Sequence, residues 1–102
     1  MFPGIVERSN ELDSLCRRFG VRRLEVFGSG ATGAFRPGES DLDFLVEFDA
    51  PGAAGYADRY FGLLESLEQL FGRPVDLVVA SAIRNPFFRE SVEQNKALLY
   101  AA

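Results

Sequence analysis

The chemistry legible in this chain rests on Gly28, Ser29, Asp41, Asp43 and Asp76. Asp41 and Asp43 stand two apart at the head of an apolar run, Leu42 to Phe48. On a strand, residues two apart share a face, so both carboxylates project to one side while Leu42 and Phe44 project to the other. Asp76 interrupts a second apolar run, Val75 to Val79. A buried, ionised carboxylate is costly unless it is paired or bound to a cation. If the two runs are neighbouring strands, the three aspartates meet on one patch. They would then repel one another and hold raised pKa values until a divalent cation neutralises them. A donor set made only of oxygens suits Mg2+ or Mn2+. The same residues also read as a solvated strand start and an edge-strand aspartate facing water, and the residues alone leave both readings open. An EF-hand loop fits poorly, because its regular ligand spacing and terminal Glu are missing.

Gly28-Ser29-Gly30 closes another apolar run, Leu24 to Phe27. By itself the tripeptide is a tight turn after a strand. Its chemical reading is a cradle in which backbone N–H groups and the Ser29 hydroxyl hold a triphosphate at a helix start. No Gly-Lys-Ser/Thr follows, so it is not a Walker loop, and it lacks the dinucleotide-binding fingerprint. The joint pattern discriminates: Gly-Ser at a strand end, Asp-x-Asp in the next strand, a single Asp in a third.

The elements that must position these residues fit one domain spanning 1–102. Hydrophobic residues make up 47% of the chain, ten of them Phe, which is enough for a modest core. The net charge is −4 and no Lys/Arg run exceeds two residues, so tight nonspecific nucleic-acid binding is not expected. A single cysteine, Cys16, rules out an internal disulfide and suits a reducing cytoplasm. No apolar run is long enough for a membrane span, and no signal peptide is expected. There is no histidine, which removes His-based acid–base catalysis and nearly all zinc-enzyme designs.

Apolar spacing predicts an amphipathic helix from Pro3 to Phe19, a strand over Val21–Phe27 and a short helix opening after Gly28. Arg36-Pro37-Gly38 signals a turn, and Pro51-Gly52 centres a loop. A strand over Leu42–Phe48, a helix over Tyr56–Leu70 and a strand over Val75–Val79 follow. Asn85-Pro86 starts a last helix, expected to reach Tyr100 and to turn Phe88, Val92 and Leu99 inward. This order gives an α/β domain with a small sheet of three or four strands and flanking helices.

These motifs, with Ser-Asp-Leu-Asp-Phe-Leu-Val at 40–46, Arg-Pro-Val-Asp-Leu-Val at 73–78 and Asn-Pro-Phe-Phe-Arg-Glu-Ser at 85–91, resemble the DNA polymerase β nucleotidyltransferase superfamily. Within it the chain is similar to the minimal nucleotidyltransferases, the MntA-like antitoxins of HEPN-domain toxins. The resemblance covers nearly the whole chain. It implies a polymerase β-like fold with a small mixed sheet. It implies that Gly28 and Ser29 hold nucleotide phosphates, that Asp41 and Asp43 bind Mg2+ or Mn2+, and that Asp76 completes the metal site and helps activate the acceptor hydroxyl. It also implies ATP as substrate, AMP transfer to a hydroxyl of a HEPN-type toxin, on a tyrosine, and a cytoplasmic location. Two departures stand out. Eleven residues separate Ser29 from Asp41, one more than the commonest spacing, and Gly30 stands where many relatives carry a basic residue.

Neutralisation of a partner by contact alone, and transfer to a small molecule, are the competing functions. The second usually needs an added helical domain, for which this chain has no room. Arg36, Arg84 and Arg89 read as surface charge, Tyr56 and Tyr60 as a helix face, and Phe87 and Phe88 as packing rather than nucleotide contacts.

Overall fold

The computed structural model describes residues 2–32, 41–50 and 54–102. The expected turn at 36–38, Arg36 itself and the loop centre at 51–52 lie outside the described residues. The elements run α1 (Pro3–Glu7), α2 (Ser9–Arg18), β1 (Val21–Phe27), α3 (Ser29–Thr32), β2 (Leu42–Phe48), α4 (Tyr56–Phe71), β3 (Val75–Val79), a 3-10 turn (Ala80–Ala82), α5 (Pro86–Asn95) and β4 (Ala97–Ala101). The sheet order is β3-β2-β1-β4. β1 pairs antiparallel with both β2 and β4, and β2 pairs parallel with β3. The sheet is therefore mixed, with helices on its faces, as the motifs implied.

One face is the main core. Leu24, Val26, Leu42, Phe44 and Val46 are fully buried against Leu12 and Cys16 of α2 and Leu63 and Leu67 of α4. Each helix contributes an i,i+4 pair, so a single stripe meets the sheet. Gly72 ends α4 in the left-handed conformation at φ 64°, its N–H bonding back to the Glu68 carbonyl. That cap turns the chain into β3 within three residues, Gly72 to Pro74. The other face carries a smaller cluster, Phe27 and Leu45 beneath Ile83 and Val92, the last from α5.

Two expectations are corrected. The first helix breaks at Arg8 (φ −109°, ψ 23°) into α1 and α2. The break lets Ile5 bury completely and lets the Phe2 N–H reach the Gly30 carbonyl at 2.7 Å. The last helix stops at Asn95, and residues 97–101 form β4 instead of continuing to Tyr100. Ala-Leu-Leu favours helix locally, but β1 is buried from Leu24 to Phe27, and its outer edge would otherwise leave backbone N–H and C=O groups unpaired. Pairing that edge decides the conformation. Leu99 accordingly packs from a strand, and Phe88 is only partly covered, while Val92 is buried as expected.

Candidate functional site

The register of the sheet assembles the site. Asp43 on β2 is the partner of Asp76 on β3 and of Phe27 on β1. Paired residues on adjacent strands project to the same face, so Asp76, Asp43 and Phe27 form one row across the three strands. β2 and β3 both start at this end of the sheet and β1 finishes here, at Gly28. The two carboxylates are thus brought together by parallel pairing without offset. Asp41, just ahead of β2, is exposed, as is Asp76, whereas Asp43 is partly covered.

Burial pushes the Asp43 carboxyl up from 3.8 to about 6, and the charge of Asp76, a hydrogen bond with the Asp76 side chain and the charge of Asp41 push in the same direction. Without a cation between the strands, Asp43 therefore keeps its proton to a higher pH than a free carboxylate does. The expectation that the carboxylates would crowd and repel is met at Asp43. The crowding is tighter for the cross-strand pair than for the Asp-x-Asp pair. Among the described residues, no group of three or more His, Cys, Asp or Glu side chains is already gathered closely enough to hold a metal ion. Asp43 and Asp76 are the ready pair, and Asp41 stands apart from them in the water. The chemistry of these donors, all hard oxygens beside a desolvated anion, fits Mg2+ or Mn2+.

Gly28 sits against Asp43. Its φ of 67° lies in the left-handed region, and a Cβ there would fall 2.8 Å from Asp43 Oδ2. Glycine is required here both for the backbone conformation and for the close approach. Ser29 begins α3, so the glycine loop opens a helix next to the carboxylates. The Ala31 N–H bonds to the Gly28 carbonyl (3.1 Å), and Phe2 ties down Gly30 from the other side. Gly30 itself is buried, and a Cβ there would press on Val26 Cγ2 at 3.1 Å and Leu42 Cδ2 at 3.2 Å. The departure at this position is therefore a packing choice: α3 rests directly on β1 and β2.

Sequence reasoning placed Phe88 in the packing, and that holds in part. Its ring lies 6.0 Å from that of Phe27, at 78°, so it packs on the residue that continues the row at β1. The signal that could have found it was the strand register, which a single sequence does not print. Tyr60 is placed by α4 rather than by the site, and its hydroxyl donates to the Leu77 carbonyl at 2.6 Å. Arg84 and Arg89 donate to the carbonyls of Ser81 and Ile83. A cleft of about 310 Å³ lined by Arg22, Glu47, Phe48, Val79, Ser81 and Arg89 lies at the far end of β2 and β3, and none of the site aspartates lines it.

The nucleotidyltransferase domain family matches residues 9–99. A protein of Methanocaldococcus jannaschii provisionally named a protein adenylyltransferase is 36% identical over 78 residues, 76% of each chain. The protein adenylyltransferase MntA of Thermococcus cleftensis is 40% identical over 72 residues, 70% of this chain and 68% of that one. Among solved structures, one described provisionally as a minimal nucleotidyltransferase superposes with a TM-score of 0.73 at 37% identity, covering 90% of this chain and 89% of the other. A toxin–antitoxin structure with AMP-PNP gives a TM-score of 0.67 at 20% identity, covering 92% and 73%. A Shewanella oneidensis complex of a tri-AMPylated HEPN toxin with its MNT antitoxin gives 0.61 at 17% identity, covering 96% and 73%. These last two show a shared fold.

Proposed function

Because this chain belongs to the nucleotidyltransferase domain family, we propose that it is an antitoxin that transfers AMP from ATP to a tyrosine hydroxyl of a HEPN-type partner toxin. The observation that carries this reading is Asp43, paired across the sheet with Asp76, lying against the left-handed Gly28 backbone. That geometry supports a cation and a nucleotide phosphate being held side by side. The named functions of the relatives and the toxin complexes among the fold neighbours support the partner class.

In the reaction, the acceptor oxygen attacks the α-phosphorus of ATP, the bond to the β-phosphate bridging oxygen breaks, and pyrophosphate leaves. The acceptor proton passes to a carboxylate, for which Asp76 is best placed, being both exposed and adjacent to Asp43. Asp43, Asp76 and Asp41 would hold Mg2+ or Mn2+. When bound, the ions neutralise the triphosphate and stabilise the entering and leaving oxygens. Gly28 admits the phosphates close to the backbone, and the Ser29 hydroxyl donates to them. A histidine base is unnecessary in this scheme. Work in the cytoplasm follows from the substrate ATP and the unpaired Cys16. Among the described residues, no helix is long and apolar enough to cross a membrane.

The test is to incubate the protein with α-labelled ATP, Mg2+ and the product of the neighbouring gene. Label should move to that protein and resist removal of the free nucleotide. Label that stays off it, or that transfers equally with Asp41→Ala, overturns the reading. Neutralisation by contact alone is the second reading, favoured by Asp41 standing apart from the other two aspartates. It predicts full toxin inhibition by Asp43→Asn without any labelling.

A further inference from the structure

The aromatic pair that opens α5 takes no part in the scheme above. Phe88 touches Phe27, yet it remains 40% exposed, and Phe87 beside it is 80% exposed. Phe27 continues the row of Asp76 and Asp43, so Phe88 adds a ring at the β1 end of that row. Directly opposed residues on neighbouring strands stand about 5 Å apart. Together with the 6.0 Å between the ring centroids, this puts Phe88 within a nucleoside's reach of the carboxylates. The ring is also held in place. Asn85 Oδ1 accepts from the Phe87 and Phe88 N–H groups at 2.9 and 3.3 Å, fixing the helix start, and Phe27 supports the side chain from below. An aromatic ring that is fixed, half wet and level with a triphosphate site has the attributes of a stacking platform.

We propose that Phe88 is the surface on which the nucleobase of the bound nucleoside triphosphate stacks. This inference rests on Gly28, Ser29 and the aspartates forming a nucleotide site, and it adds the residue that engages the base. Stacking tolerates any base because each presents a π-face. Phe88 therefore supplies affinity for nucleosides without choosing between adenine and guanine. Phe87, turned further into water and without a ring partner among the described contacts, is not part of the platform.

The experiment titrates Mg2+·ATP and Mg2+·tripolyphosphate, which carries the same phosphates without a nucleoside, into the wild type and the variants F88A, F88L, F88Y and F87A. F88A and F88L should lose roughly 5- to 150-fold in ATP affinity, equivalent to about 1–3 kcal/mol, and keep their tripolyphosphate affinity. F88Y and F87A should bind ATP as the wild type does. F88L keeps most of the apolar volume, so a folding defect in F88A leaves the test intact. Equal losses for both ligands, or ATP binding untouched in F88L, overturn the platform. A result in which F87A and F88L keep ATP affinity but lose association with a protein partner makes this a docking patch and likewise overturns it. Failure of the wild type to bind either ligand overturns the underlying nucleotide-site reading, a distinct outcome.

Discussion

Replacing Asp43 with Asn separates the site's cost to the fold from its use. In the folded chain the Asp43 carboxyl is pushed up from 3.8 to about 6, first by burial and then by Asp76 and Asp41. Between those values the folded state holds a proton that the unfolded state has released. More protons bound when folded means that stability falls as pH rises through this window. The penalty is absent below 3.8 and complete above about 6. A shift of this size corresponds to ~3 kcal/mol if unscreened. The side chain is partly open to water, and screening reduces this to roughly 1 kcal/mol. Asp43→Asn removes the charge and still offers Asp76 a hydrogen-bond donor. At about pH 8 the metal-free variant should therefore melt roughly 4–8 °C above the wild type. At about pH 3, below both values, the difference should vanish. Mg2+ with ATP should stabilise the wild type by about 2.7 kcal/mol at 100 times its Kd, and should leave the variant unmoved. Thermal melts by circular dichroism at the two pH values, with and without Mg2+ and ATP, measure all of these. An equal gain at both pH values, or a variant less stable than the wild type at about pH 8, would refute the claim that desolvation and carboxylate repulsion load this site.

Other positions give further outcomes. Gly28→Ala combines a left-handed backbone with a Cβ 2.8 Å from Asp43 Oδ2; it should cost about 1–3 kcal/mol in urea unfolding and weaken Mg2+·ATP binding in calorimetry. Lys96 holds the buried Glu25 carboxylate at 3.3 Å, opposite Arg23 at 3.2 Å. Lys96→Ala should lower stability by about 1.5–3 kcal/mol in urea unfolding, because a carboxylate only 4% exposed loses one of its two cations. Asn85→Ala removes the cap of α5 and should cost about 1 kcal/mol by the same measurement. Metal affinity should also fall as pH drops below about 6, as the Asp43 proton competes with the cation; isothermal titration with Mg2+ across pH checks this.

The candidate site residues could be picked out of the chain because their signals are local. Asp41 and Asp43 are two apart in an apolar run, Gly28 follows a strand, and Asp76 interrupts another strand. Period-two alternation and turn chemistry need only a few neighbouring residues to be read. The strands β1 to β3 match those readings residue for residue. What the chain could not state was which strands are neighbours and in what register. Asp43 opposite Asp76, and Phe27 on its other side, are facts of pairing between residues up to 33 positions apart. Only the sheet decides that Asp43 meets Asp76 across the strands and that Phe27, which carries Phe88, continues their row. The C-terminal segment shows the same division. Ala97 to Ala101 carries a local leaning toward helix, but the unpaired edge of buried β1 makes it a strand, because hydrogen-bond satisfaction in the core outweighs a preference worth tenths of a kcal/mol per residue. Sequence determined which groups could do the chemistry. Tertiary pairing decided which of them meet.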